Sequence, residues 1–197
     1  MSVLVKICGL TESAHVAAAI AAGADAIGFV FAKSIREVSP EQARLLSAAI
    51  PAHIRRVAVL RHPEEALWRE VFAVFRPDVI QTDIADFDAI DVPNSVESWP
   101  VYREGGVLPA SVSTYIYEGQ KSGLGQTVDW SRAATLAESG NMILAGGLSA
   151  SNVAAAIRTV RPFGVDVSSA VESTPGKKDP NLILEFTHAA KAAEKSL

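Results

Sequence analysis

The sequence predicts an α/β fold, and three observations lead to that prediction. Short runs rich in β-branched and aliphatic residues recur eight times within 197 residues. Most of these runs are continuously apolar, which is typical of parallel strands buried on both faces. Helical patterns with recognisable end signals lie between several of them, and that alternation is typical of α/β proteins. The predicted strands are residues 3–8, 26–31, 56–60, 78–82, 99–103, 114–118, 142–146 and 164–168.

Three helices can be placed between these strands from their end signals. Thr11 precedes the helical pattern ESAHVAAAIAAG, and Gly23 ends it. Ser39 followed by Pro40 opens a second helix, and Pro63 begins a third. Serine and threonine accept hydrogen bonds from the first helical N–H groups, proline fits the first turn, and glycine suits the end.

Eight strands with intervening helices indicate a (βα)8 TIM barrel that fills the chain as a single domain, 1–197. Such barrels typically need about 250 residues, so we expect shortened connections around strands four to six. An open doubly wound sheet is the alternative, but no G-x-G-x-x-G follows the first strand to support a dinucleotide site. The segments 84–98 and 104–113 leave room for little more than turns, since this region contains Pro93, Pro100, Gly105, Gly106 and Pro109.

Composition and charge exclude several classes of partner. The net charge is −4 and the Lys and Arg residues are scattered, so we expect neither nucleic acid nor an anionic membrane as a partner. One cysteine and a start, MSVLVKICGL, without a secretory pattern predict a reduced, cytoplasmic protein. The four histidines show no metal-ligand spacing, so we predict no metal. Without an evident apolar surface patch, we expect a monomer.

The functional groups of this kind of barrel lie at the C-terminal ends of the strands. The polar or small residues that fall there are Cys8, Gln81, Asp83, Glu118, Gly146, Gly147, Asp166, Ser168 and Ser169. Their chemistry suits proton transfer and anion binding. For Cys8 the alternative is an inert buried thiol, and for Glu118 it is a solvated carboxylate on a loop.

A phosphate site is predicted after strands seven and eight. AGGLSASNV (145–153) is a glycine-rich turn, and DVSSAVE (166–172) is a strand end that opens into a short helix. Backbone N–H groups at such turns bind phosphate without net positive charge, and these two loops are the recurrent phosphate site of the fold. The alternative is structural, with Gly146 and Gly147 making a tight turn and Ser168 capping a helix.

Six blocks of sequence, spread from end to end, resemble the phosphoribosylanthranilate isomerase family. Their order and spacing are far more specific than any single motif. The blocks are KICGLT (6–11), GADAIGFVF (23–31), KSIREVSPEQA (33–43), GLGQTVDW (123–130), ILAGGLSASNV (143–153) and VDVSSAVESTPGKKD (165–179).

The resemblance implies a cofactor-independent Amadori rearrangement of N-(5-phosphoribosyl)anthranilate, a phosphosugar, to 1-(2-carboxyphenylamino)-1-deoxyribulose 5-phosphate. An acid protonates the ring oxygen, and a base, by resemblance Cys8, removes the C2 proton. Arg36 matches a position that meets the anthranilate carboxylate, and we expect Gln81 and Asp166 to contact substrate. The Cys8 thiolate needs a favourable neighbouring charge. We do not expect Lys6 to supply it, because Lys6 sits lower in the barrel.

The chain departs from the family pattern at several positions. Glu118 stands where the family usually has an aspartate as the general acid, and Asp129, which precedes a helix as a cap, is the competing candidate. After strand four a histidine and a glycine of the family become Asp83 and Ile84. In SSAVE, Ala170 replaces a glycine near the phosphate but still provides its N–H.

Two rival functions remain open from the sequence. One is another phosphosugar isomerase of the same fold. A bifunctional enzyme is disfavoured, because only the second half of the chain has a phosphate loop. The other rival is a catalytically silent phosphate-binding barrel. An assay with the aminoaldose substrate separates these possibilities.

Overall fold

Eight parallel strands form one closed barrel in chain order, so the predicted fold class is confirmed. A computed structural model describes residues 3–106, 113–119 and 128–194 of the chain. The strands are β1 (Leu4–Cys8), β2 (Ala26–Val30), β3 (Arg55–Val59), β4 (Val79–Asp83), β5 (Glu97–Arg103), β6 (Thr114–Glu118), β7 (Asn141–Leu144) and β8 (Gly164–Val167). The ring closes where β1 pairs with β8, Lys6 standing opposite Asp166.

Helices cover the outside of the barrel. They are α1 (Ser13–Ala22), α2 (Pro40–Leu46), α3 (Glu65–Glu70), α4 (Trp130–Ala137), α5 (Val153–Val160) and α6 (Pro180–Glu194). A π-helical turn, Val71–Phe75, extends α3. Short 3₁₀ turns occur after α2, β4 and β8, at Ser47–Ala49, Ile84–Asp88 and Ser169–Val171. A two-stranded antiparallel hairpin, β9 (Glu172–Thr174) with β10 (Lys177–Lys178), lies between β8 and α6. None of the described helices has the length and apolar character that a bilayer span requires.

Two of the predicted helix ends are confirmed in detail. The Ser39 hydroxyl accepts a hydrogen bond from the Gln42 N–H at 3.1 Å, and the Gln42 side chain accepts one from the Ser39 N–H at 2.9 Å. This reciprocal pair is a capping box, which fixes the start of α2. Gly23 ends α1 with a left-handed φ of 84°, a conformation that glycine adopts without strain.

Two predicted helix starts are wrong by one or two residues. α1 begins one residue later than a Thr11 cap requires. The Leu10 N–H is still bonded to the Gly28 carbonyl at 3.3 Å, which holds the chain against β2. α3 begins two residues after Pro63, because the left-handed backbone at His62, with a φ of 46°, delays the first helical turn.

The outer ring is thin after β4 and β5. Only the 3₁₀ turn Ile84–Asp88 follows β4, and the described residues after β5, 104–106, form a turn. The rest of that connection, with Pro109, lies outside the described residues, as does most of the block 123–130. α4 covers the next position, so the confirmed shortening falls on the connections that flank β5 and not on the helix after β6.

The barrel interior changes character along its axis. An apolar cluster of alternate strand residues fills part of it, and two of them, Val101 and Ala145, reach the cavity wall. The cluster consists of Ala26, Val57, Val79, Trp99, Val101, Ile116, Ile143 and Ala145. Polar side chains take over at the C-terminal ends of the strands, while the larger apolar core packs between the sheet and the helices. The polar end is where the cavity described next opens.

Candidate active site

A cavity of about 310 Å³ opens at the C-terminal ends of the strands. The structure brings nine of the ten predicted site residues to its wall: Cys8, Arg36, Gln81, Glu118, Gly146, Gly147, Asp166, Ser168 and Ser169. The tenth, Ala170, is exposed and does not line the cavity. Asp83, which follows strand four, also lines the wall. Strand-end placement in the sequence therefore located eight of these nine residues together, and the family resemblance added Arg36.

Cys8 ends β1 and lies against a buried cation. Burial raises the pKa of the Cys8 thiol, and the ammonium of Lys6, which lies beside Gly28 as the sulfur does, opposes that rise. The prediction that Lys6 sits too low to reach Cys8 is wrong. A lysine side chain is long enough to extend along the barrel axis by the two residues that separate them on the strand, since both point inwards.

Lys6 is also paired with Asp166 across the closing seam. Its Nζ lies 2.8 Å from Asp166 Oδ1, and the Lys6 side chain is fully buried. Burial by itself lowers the pKa of Lys6, but Asp166 and Cys8 more than offset that effect, so the pKa stands above its ordinary value. Lys6 is therefore an ammonium group over the whole physiological pH range.

Glu118, the predicted acid, is paired with an arginine that the sequence analysis missed. Arg103 ends β5, and its Nη2 lies 3.0 Å from Glu118 Oε1. Its Nη1 donates a hydrogen bond to the Asp83 carboxylate, so the guanidinium bridges two acids on the cavity wall. The available signal was position: Arg103 ends its predicted strand just as Glu118 ends the next.

Arg36 is held by a buried carboxylate. Its Nε and Nη2 lie 2.6 and 2.8 Å from the two oxygens of Glu172, which also accepts a hydrogen bond from Lys178 at 2.7 Å. Burial tends to raise the pKa of Glu172, but the bonds from Arg36 and Lys178 lower it to about 2. Glu172 and Lys178 were missed because they lie in the hairpin after β8 and do not end a strand of the barrel.

Gly9 gives the Arg36 side chain its place. A Cβ on Gly9 would lie 2.6 Å from Arg36 Cδ, and the glycine has a left-handed φ of 77°. Any other residue would be strained there and would displace the arginine.

The predicted phosphate turn has the expected backbone. Gly146 and Gly147 both have positive φ, 90° and 63°. The Asn152 side chain closes the turn by donating to the Gly147 carbonyl at 2.8 Å and accepting from the Ser149 N–H at 2.8 Å. On the neighbouring strand, Ser168 leads into the 3₁₀ turn, and its hydroxyl donates to the Cys8 carbonyl at 3.1 Å instead of capping that turn.

Gln81 has a buried carbonyl oxygen that faces no partner. The residue is 7% exposed, and its Oε1 makes no hydrogen bond within the described part of the chain. Buried polar atoms are almost always paired. An amide oxygen without a partner on a cavity wall is therefore a candidate for a hydrogen bond to a ligand.

Asp129, the competing acid, acts as the predicted cap. Its Oδ1 accepts from the N–H groups of Ser131 and Arg132 at 2.8 and 3.3 Å at the start of α4. Asp129 does not line the cavity, whereas Glu118 does.

His62 and two aspartates form a cluster beside the cavity that could hold a metal ion. Ligand atoms of His62, Asp83 and Asp86 lie within 4.8 Å of one another. Arg103 already donates a hydrogen bond to the Asp83 carboxylate, and the Thr82 hydroxyl donates one to the Asp86 carboxylate. A cationic neighbour disfavours a metal ion, and the prediction that the protein uses no metal stays a prediction.

Comparison with known proteins gives a consistent match. A family model described as N-(5'-phosphoribosyl)anthranilate (PRA) isomerase matches residues 5–189. The N-(5'-phosphoribosyl)anthranilate isomerase of Listeria welshimeri is 39% identical over 210 residues, covering 97% of this chain and 100% of its own. That of Pelobacter propionicus is 37% identical over 198 residues, covering 95% of each chain.

Solved structures match over nearly the whole chain as well. The TrpF protein of Jonesia denitrificans has a TM-score of 0.84 at 33% identity, over 98% of both chains. A phosphoribosyl anthranilate isomerase in complex with reduced 1-(o-carboxyphenylamino)-1-deoxyribulose 5-phosphate has a TM-score of 0.81 at 31% identity, over 96% of this chain and 99% of its own.

Proposed function

The chain belongs to the N-(5'-phosphoribosyl)anthranilate isomerase family and is an isomerase of that phosphosugar; we propose that Cys8 and Glu118 carry out its proton transfers. The observation that supports this assignment most is their shared cavity. Cys8 and Glu118 end β1 and β6, and both line the space beside the glycine-rich turn. A base and an acid on different walls can act on two atoms of one bound sugar.

The reaction needs one proton donated and one removed. Glu118, as the acid, protonates the furanose ring oxygen so that the ring opens to an imine. The Cys8 thiolate then takes the C2 proton, the C–H electrons move to the imine, and the resulting enolamine tautomerises to the aminoketose. Because burial raises the pKa of Cys8, this assignment requires a group that stabilises its thiolate.

Binding groups surround this pair. The pairing with Glu172 uses the Nε side of Arg36, and the Nη1–Nη2 edge has the geometry to accept the anthranilate carboxylate. Gln81 offers an unpaired amide oxygen to a substrate hydroxyl or amine. The phosphate is assigned to backbone N–H groups of the turns at Gly147 and Ser169. Asp166 contributes indirectly, through Lys6.

An assay of purified protein with N-(5'-phosphoribosyl)anthranilate tests this assignment. Without the base, turnover should fall at least about 10²-fold in Cys8→Ala, with the folded state unchanged by circular dichroism. Full activity in Cys8→Ala would remove Cys8 from the mechanism. No turnover by the parent protein would favour the silent phosphate-binding barrel.

We also propose a single-domain monomer that works in the cytoplasm. The large hydrophobic side chains exposed within the described ranges lie on five separate segments: Ile35, Leu45, Ile84, Phe163 and Leu184. Scattered apolar residues of this kind do not form an interface. A single cysteine that is not paired in a disulfide is consistent with a reducing compartment. Sedimentation equilibrium tests the oligomeric state, with a concentration-independent mass of one chain as the expected result.

A further inference from the structure

We propose that Lys6 is a positioning residue that holds the Cys8 sulfur and stabilises its thiolate, and this inference rests on the proposed role of Cys8 as the base. Lys6 is not among the residues that line the cavity. It acts from below, on a sulfur that lies beside Gly28 as its own ammonium does.

The burial of Lys6 is hard to explain by stability alone. Its side chain is fully buried, and that of its partner Asp166 is 11% exposed. Removing an ion pair from water costs several kcal/mol per ion, and well-packed apolar residues often replace such pairs without loss of stability. The surrounding barrel interior is apolar, with Ala26 standing opposite Lys6 on β2. The buried charge of Lys6 is therefore better explained by a function than by stability.

Gly28 leaves the space in which the ammonium and the sulfur meet. It lies opposite Cys8 in the β1–β2 register. A Cβ on Gly28 would lie 3.0 Å from Cys8 Sγ and 3.3 Å from Lys6 Nζ. Gly28 is not among the glycines with positive φ, so its backbone suits any residue. What the absent side chain provides is room for the Lys6–Cys8 contact.

The charges around the sulfur act in opposite directions. Lys6 on β1 and Lys178 on β10 lower the pKa of Cys8, whereas burial and Asp166 on β8 raise it. Arg36, from the loop after β2, also interacts electrostatically with Cys8. Of the two lysines, Lys6 has the larger effect on the pKa of Cys8. Because the pKa of Lys6 stands above its ordinary value, the ammonium keeps its proton while the thiolate accepts the one from C2.

Cys8 is the only cysteine of the chain, so its titration can be followed directly. The rate of alkylation by iodoacetamide as a function of pH gives the midpoint of thiolate formation. An opposite charge in contact shifts a pKa by about one to three units. Lys6→Met should therefore move the midpoint upwards by about that amount, and the rising limb of kcat/KM with pH should move with it.

The matched control is Lys191→Met. Lys191 also pairs with an aspartate, 2.6 Å from Asp25 Oδ2, but it is not coupled to Cys8. It should lose stability through the broken ion pair and keep the parent midpoint. A merely structural Lys6 would behave in the same way, with lower thermal stability and an unchanged thiol titration.

Two further variants separate the contact from its side effects. Lys6→Met leaves Asp166 buried and unpaired, which itself raises the thiol pKa and threatens folding. The double variant Lys6→Met/Asp166→Asn removes both charges, and its midpoint should still lie above that of the parent. Gly28→Ala keeps every charge but forces the ammonium and the sulfur apart, so its midpoint should rise as well.

Three results would overturn the inference. The first is a midpoint of thiolate formation in Lys6→Met equal to that of the parent. The second is a parent-like midpoint in the double variant, and the third is an unchanged midpoint in Gly28→Ala. The alkylation readout does not depend on turnover. A fully active Cys8→Ala would refute the proposed base, whereas these midpoints would still report whether Lys6 stabilises the thiolate.

Discussion

Replacing Glu172 by glutamine should destabilise the fold by about 3 kcal/mol at neutral pH, because this carboxylate neutralises two cations, Arg36 and Lys178. Its side chain is 4% exposed and that of Lys178 is fully buried. Glutamine preserves the shape but carries no charge. Lys178 would keep only its bonds to Ser168, at 2.9 and 3.2 Å, and Arg36 would lose its bidentate partner.

The magnitude follows from the pKa of Glu172. Folding lowers it from 4.5 to about 2, and each pKa unit corresponds to about 1.4 kcal/mol. The folded-state pKa is the lower one, so the stabilisation is fully present above the unfolded pKa and is lost as the pH falls through the folded pKa. The resulting value, about 3 kcal/mol, agrees with the roughly 3–5 kcal/mol for removing one member of a buried ion pair.

Urea unfolding followed by tryptophan fluorescence measures this difference. With a urea m-value of about 1–3 kcal/mol per molar, the midpoint of Glu172→Gln should fall by about 1–3 M at pH 7. The difference in urea midpoint between Glu172→Gln and the parent should become smaller below about pH 4.5. Glu41→Gln is the control. Glu41 and Arg44 form an ion pair at 2.6 Å, the same separation as in the Glu172–Arg36 pair, but their side chains are 58% and 50% exposed. Equal midpoint shifts in the two variants, or a gap independent of pH, would refute the reasoning.

Three other perturbations probe the cavity. Glu118→Gln should lower kcat about 10²–10⁴-fold in steady-state kinetics, with substrate affinity mostly retained. Asp129→Asn should lower kcat only slightly, because asparagine caps helices as well as aspartate. The larger loss of kcat in Asp129→Asn would make Asp129 the acid. Gly147→Val should weaken inorganic phosphate binding in calorimetry, since valine at a φ of 63° is strained and obstructs the approach to the backbone; parent-like affinity would contradict the phosphate assignment. Incubation with a chelator should leave activity unchanged, and loss restored by a divalent ion would reveal a metal site.

The barrel was predictable because its signals are local. Each strand is a short buried run whose apolar character follows from having both faces covered, and all eight appear within two residues of their predicted bounds. Caps that depend on one side chain and the next turn, such as Ser39, were also predictable. The starts near Thr11 and Pro63 were not, because hydrogen bonds to β2 and a left-handed residue delay those helices.

The site was predictable only where chain position determines it. In a parallel barrel every strand ends on the same rim, so Cys8, Gln81 and Glu118 could be grouped from their places alone. The partners of these residues could not be predicted. Arg103 reaches Glu118 across two adjacent strands, and Lys6 reaches Cys8 by extending upwards. Such contacts depend on side-chain length and direction in three dimensions, which spacing along the chain does not contain.

Because β1 pairs with β8, the barrel can close only late in the synthesis of the chain. The first strand to leave the ribosome has its final neighbour only after residue 167 has been made. Until then β1 is an open edge with unpaired N–H and C=O groups, the kind of surface that recruits other nascent strands. Lys191, whose ammonium bonds the Val3 carbonyl and Asp25, ties the start of β1 to the residue before β2 only after the last helix has been made. Truncated translation products should therefore be far more prone to aggregate than the finished chain.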